Sequence, residues 1–87
     1  MTESLEIRIK RLKMRSMRRG IREMDLILST YAERHLDAMD EAGLDQFDAL
    51  LEENDQDLYA WVTGRENAPQ HFSGLVKNIS QVFQKKK

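Results

Sequence analysis

The chain contains no cysteine. That excludes disulfides, thiolate nucleophiles and cysteine-ligated metals, and folding needs no oxidising compartment. No apolar run approaches the roughly 20 residues that a membrane-spanning helix requires, and the N-terminus lacks the apolar core of a secretory signal. A transit peptide fits poorly too: Glu3 and Glu6 accompany the early basic residues, and such presequences are poor in acid. Pro69 is the single proline, and glycine occurs four times. Glycines fall between helix-like segments and nothing alternates with period two over a useful length, which argues against strands. With 87 residues there is room for one domain and no second core. A domain of this size buries only about 60–65% of its unfolded surface.

Charge, by contrast, is abundant and unevenly distributed. Residues 1–22 carry eight basic and two acidic side chains, residues 23–63 one basic and twelve acidic, and residues 64–87 five basic and one acidic. The formal net charge of −1 hides this segregation. An electrically polar molecule is the expectation, an acidic centre flanked by basic ends.

Hydrophobic spacing predicts helices throughout. Leu5, Ile9 and Leu12 fall on one helical face between Thr2 and about Met17, with Ile7 and Met14 off it. Gly20 offers a stop, because glycine accepts the left-handed conformation that often follows a helix end. A second helix is predicted from Ile21 or Arg22 to about Met39, with Met24, Ile27, Leu28 and Tyr31 as its stripe and Leu36 and Met39 extending it. Residues 40–43 have the composition of a turn, after which Asp45 would cap a third helix burying Phe47, Leu50 and Leu51. Asp55 would cap a short fourth around Leu58, Trp61 and Val62, closed by Gly64. Pro69 suits the first turn of the last helix, whose stripe of Phe72, Leu75, Val76, Ile79, Val82 and Phe83 is the cleanest in the chain. The expected fold is all-α, a single-domain five-helix bundle over residues 1–87 with its core between about 5 and 83. Residues 84–87 form a basic tail ending in Lys85, Lys86 and Lys87.

Most chemistry finds no support. His35 and His71 are the only histidines and neither has a second at helical spacing, so no metal site is expected. Ser16, Ser29, Ser73 and Ser80 lack a nucleophile setting, no glycine loop cradles phosphate, and no catalytic residue is assigned. Short helical domains have little depth for a water-excluding pocket. Nucleic acid is the alternative from composition, since a basic first helix could lie along phosphates. The acidic centre would repel a polyanion, and no aromatic interleaves with the basic residues. Membrane-surface binding through residues 5–17 is weakened by the poor separation of basic and apolar side chains.

What remains is a surface for protein recognition. In the stretch from Met17 to Leu28, Arg18, Arg19 and Arg22 crowd Gly20, and Glu23 and Asp25 follow. Arginine supplies planar bidentate donors and glutamate an acceptor, which suits a partner's carboxylates and backbone groups. A helical i, i+4 pair between Arg19 and Glu23 is the plain structural reading. Worth only ~0.3–0.5 kcal/mol, such a pair does not explain so many charges around one glycine.

Two blocks of residues resemble a known family. Arg19-Gly20-Ile21-Arg22-Glu23 matches the RGxxE signature of small helical factors that promote covalent flavin attachment to succinate dehydrogenase, within the longer pattern Arg18 to Asp25. Downstream, the segment from Leu50 to Val62 is similar to that family's L-L-E-x-x-D-x-D-L-x-x-W-L/V block. The likeness spans about Leu5 to Phe83. It implies a five-helix assembly factor, not an enzyme, that binds the flavoprotein subunit of succinate dehydrogenase, and in some bacteria of fumarate reductase. Arg19, Gly20 and Glu23 would form the contact patch by position, with Arg18, Arg22 and Asp25 added on chemical grounds. Asp55 matches as a cap and Trp61 as core, beside Asp57. FAD would be the partner's cofactor, with none held firmly by this chain, which is expected to be a monomer when free. Relatives are bacterial cytoplasmic or mitochondrial matrix proteins, and the short N-terminus favours the bacterial cytoplasm.

Overall fold

In a computed structural model, residues 4–17 and 19–85 are described, and five α-helices account for most of them. These are α1 (Leu5–Arg15), α2 (Arg22–His35), α3 (Glu41–Leu51), α4 (Asp55–Val62) and α5 (Ser73–Lys85). Short 3-10 turns at Leu36–Ala38 and Gln70–Phe72 join them, and no strand occurs among the described residues. The all-α expectation is borne out. Arg18, Lys86 and Lys87, and the side chain of Lys85, fall outside the described residues, so the expected basic tail does too.

Three helix starts follow side-chain capping chemistry, and in two of them the cap differs from expectation. Ser4 accepts the Ile7 N–H at 3.2 Å and starts α1. Asp40, not Asp45, caps α3 by accepting the Gly43 N–H at 2.8 Å. The expected turn at 40–43 is therefore the first turn of α3. Gly43 is suited to it, because a Cβ there would sit 3.3 Å from Asp40 Oδ1 and 3.4 Å from the Met39 side chain. Asn54, not Asp55, caps α4 through the Gln56 N–H at 2.8 Å, which leaves the Asp55 carboxylate available for other use.

Helix ends differ from expectation as well: α2 gives way to a 3-10 turn after His35, short of the expected Met39, and Gly20 is not the stop it was expected to be. Gly64 adopts the left-handed conformation with φ of 82° and ends α4. The Arg65 N–H reaches back to the Ala60 carbonyl at 2.8 Å, the Schellman pattern. Gly20 does not share that conformation, so its role as a left-handed stop is not what the fold uses. Instead α1 ends at Arg15, and the fully buried Ser16 donates its hydroxyl to the Leu12 carbonyl at 2.8 Å.

Helix α2 is central, packed against α1, α4 and α5, while α1 also rests on α3. Its stripe of Met24, Ile27, Leu28 and Tyr31 is buried, as spacing predicts, and meets Leu12 of α1, Phe47 of α3 and Leu58 of α4 in one cluster. The α5 stripe closes that cluster with Leu75, Val76 and Ile79. Trp61 is only half-buried, packed at the edge of the core with its ring 6.3 Å from Phe72. Ile7 and Met14 are exposed, matching their positions off the α1 stripe.

Part of the charge segregated along the chain is paired in the fold. Basic α1 lies along acidic α3, and the opposite charges meet. Arg8 pairs with Asp45 at 2.5 Å, Arg15 with both Asp48 and Glu52, and Arg11 approaches Asp48 at 3.9 Å. Lys13 turns to the other side, towards Glu33 and Asp37 of the α2 segment.

Candidate functional site

Residues 16–21 connect α1 to α2, and residues 52–54 connect α3 to α4. The two connections meet at Arg19. Its Nε donates to Asp55 Oδ1 at 2.7 Å, with Nη2 at 2.7 Å from the same oxygen. Nη1 donates to the Leu51 carbonyl at 3.0 Å and Nη2 to the Glu53 carbonyl at 3.2 Å. The last carbonyls of a helix have no partner within it and carry its negative dipole end. One arginine therefore fills the end of α3 and pairs with the start of α4.

Gly20 completes the arrangement, donating its N–H to Asp55 Oδ2. Each carboxylate oxygen of Asp55 thus holds one neighbour from the α1–α2 connection. A Cβ on residue 20 would lie 3.0 Å from that Oδ2. Close approach, not a left-handed turn, is what glycine supplies here. Side-chain exposure of Arg19 and Asp55 is 14% and 17%, so the pair is largely withdrawn from solvent.

The remaining predicted residues separate from this latch. Arg22 and Glu23 are exposed in the first turn of α2, where Glu23 also complements the positive end of the helix dipole. Neither forms an ion pair with another described residue. The helical pair between Arg19 and Glu23 is absent, because Arg19 is engaged by Asp55. Asp25 is half-buried in the same turn. Arg18 lies outside the described residues. Leu26 is a residue that sequence reasoning missed. It is 59% exposed, and it shares a face with Arg22 and Glu23 at i+4 and i+3. Its signal is its place off the buried α2 stripe.

Asp55 has a different role from the helix cap that its position suggests. The local signal favours a cap, since an acid at a helix start is a common one. Its actual partners lie 35 and 36 residues away.

A recess of about 430 Å³ opens beside the junction, lined by Ile21, Asp57, Tyr59, Arg65 and neighbours. Among the described residues no cluster of three or more histidine, aspartate or glutamate side chains is placed to hold a metal ion. Chemically, the site is a part-buried ionic latch beside an exposed charged helix start.

Comparison with known proteins agrees with the two blocks. A family model described as the flavinator of succinate dehydrogenase matches residues 10–83. A protein of Danio rerio named succinate dehydrogenase assembly factor 2, mitochondrial, is 38% identical over 85 residues, covering 95% of this chain and 54% of the relative. Proteins of the same name from Meyerozyma guilliermondii and Scheffersomyces stipitis are 46% and 48% identical over 61 residues. Those matches cover 70% of this chain, and 45% and 41% of the relatives. The chain spans about half the length of the curated relatives it matches. The expectation of a bacterial cytoplasmic protein is overturned by these relatives, which are named mitochondrial. It rested on N-terminal length, which carries no compartment information because targeting segments are removed and lie outside the fold. By the family match over most of its length, and by both sequence blocks meeting at one junction, the chain belongs to the flavinator of succinate dehydrogenase family.

Proposed function

We propose that this chain is a non-catalytic assembly factor that binds the flavoprotein subunit of succinate dehydrogenase and promotes covalent attachment of FAD to it. The observation that carries the reading is the first turn of α2, where Arg22 and Glu23 are exposed above a latch that fixes the helix start. A charged, exposed helix turn suits docking to a partner's polar groups. The partner supplies the histidine nucleophile and the bound flavin. This chain supplies position, holding a mobile part of the flavoprotein so that the two reacting groups meet. Positioning of that kind contributes up to about 7–11 kcal/mol toward a barrier in favourable systems. A factor that must leave when later subunits arrive is served by a modest, polar interface.

The test is co-expression with the flavoprotein subunit, followed by covalent flavin fluorescence in a denaturing gel. Glu23→Ala and Arg19→Ala are expected to lower the signal at least tenfold, the effect of losing roughly 1.4 kcal/mol. Wild-type fluorescence with both folded variants would overturn the reading. Nucleic-acid binding loses its basis, because Arg8, Arg11 and Arg15 already face carboxylates of α3. Phosphates would have to displace those pairs.

A further inference from the structure

Every polar group of the Arg19 guanidinium that reaches a partner is used inside the chain, on Asp55 and on the carbonyls of Leu51 and Glu53. A docking protein would have to compete for a guanidinium that is 14% exposed and already holds three internal hydrogen bonds. Glu23 is different: it is exposed and lies one helical turn beyond Gly20. Between latch and helix stands Ile21, the N-cap of α2, which makes no side-chain capping bond. The start of α2 is therefore anchored from another part of the chain, through the Gly20 N–H on Asp55. Asp55 in turn is fixed by Arg19, and Arg19 by the end of α3.

Resting on the docking reading above, we infer that Arg19 and Asp55 are positioning residues that orient the first turn of α2 and thereby present Glu23 to the flavoprotein, without touching it themselves. This assigns the second sequence block a part in docking. It also divides the labour within the first block: Arg19 and Gly20 face inward and set the geometry, and Glu23 faces outward and uses it. Two short stretches 35 residues apart act as one device.

A double-mutant cycle tests this, because residues acting through one another do not add. The affinity of the purified flavoprotein subunit for wild type, Asp55→Asn, Glu23→Ala and the double variant is measured by calorimetry. The temperature is one at which circular dichroism shows every variant folded. Asp55→Asn keeps the shape and removes the charge, and is expected to weaken binding roughly ten- to a hundredfold, as loss of charge-assisted hydrogen bonds does. The double variant is expected to bind no more weakly than Glu23→Ala alone. Amide exchange of residues 20–25 is expected to quicken in Asp55→Asn.

Additive losses, or an Asp55→Asn variant that binds like wild type, would overturn the inference. Asp45→Asn serves as control, removing a charged partner of Arg8 far along α1. It is expected to leave affinity unchanged, and an equal loss there would reduce the Asp55 effect to general destabilisation and overturn the inference. If Asp55→Asn does not fold, Arg19→Lys takes its place in the same cycle, keeping the charge while losing the fork. Failure of the docking reading itself is seen separately, as wild-type affinity of Glu23→Ala.

Discussion

At residue 20 an added methyl group would meet Asp55 Oδ2 at 3.0 Å, and the carboxylate cannot retreat without loosening its hold on Arg19. Gly20→Ala is therefore expected to destabilise the fold by about 1–2 kcal/mol through a loosened polar contact, measured as a lower urea midpoint. Gly74 is a contrast within the same molecule. It sits in the first turn of α5 with nothing within 4 Å of an added Cβ. Gly74→Ala is expected to stabilise by about 0.5–1 kcal/mol, as alanine does in an unstrained helix. Composition marks Gly20 as a special position but attaches the wrong cause to it. The φ angle and the partner of an N–H are set by what the rest of the chain brings near, and the five residues around Gly20 do not contain Asp55.

Among elements, the pairing of α1 with α3 does most to redistribute charge. Arg8 meets Asp45 and Arg15 meets Glu52, each 37 residues apart, and Arg19 meets Asp55 at a separation of 36. The two stretches thus run side by side in the same direction, with one nearly constant offset. Asp48 takes part in the most contacts, facing Arg8, Arg11 and Arg15. Asp48→Ala is expected to lower stability by about 1 kcal/mol, the upper end for partly exposed pairs. Urea denaturation at low and high salt checks this, since screening should shrink the difference. Matching spacings at 8, 11, 15 and at 45, 48, 52 are legible in the amino-acid sequence. Their meeting is not, because charge runs on separate helices are equally compatible with two solvated faces.

For the molecule as a whole, one core holds all five helices, and Tyr31 of α2 packs against α3 within it. Its ring lies in the core, 5.9 Å from that of Phe47. Burial raises its pKa above the ordinary 10.0, against the opposing hydrogen bond from Asn78. The sign follows from linkage: the folded state holds the phenol proton more tightly than the unfolded state does. Tyr31 therefore supports the fold fully below pH 10.0, and that support is lost as pH rises through the raised value. Alkaline titration followed by tyrosinate absorbance and helical circular dichroism should show late ionisation of this ring coinciding with unfolding. Tyr31→Phe should remove that coincidence.

Apolar spacing by itself determined the helical class, the number of helices and nearly all of the core, because burial of one face is a local property of a repeating pattern. Most of the α2 and α5 stripes was legible in the sequence for that reason, though not the buried Ala32. The two motif blocks were legible as well, as was their kinship. Only the tertiary structure decided that Asp55 is a latch and Asn54 the cap, that Arg19 points inward while Glu23 points outward, and which of the segregated charges pair. These depend on which side chains meet across more than thirty residues of chain. A charged group's role is set by its partner, and no periodicity within one helix names a partner on another.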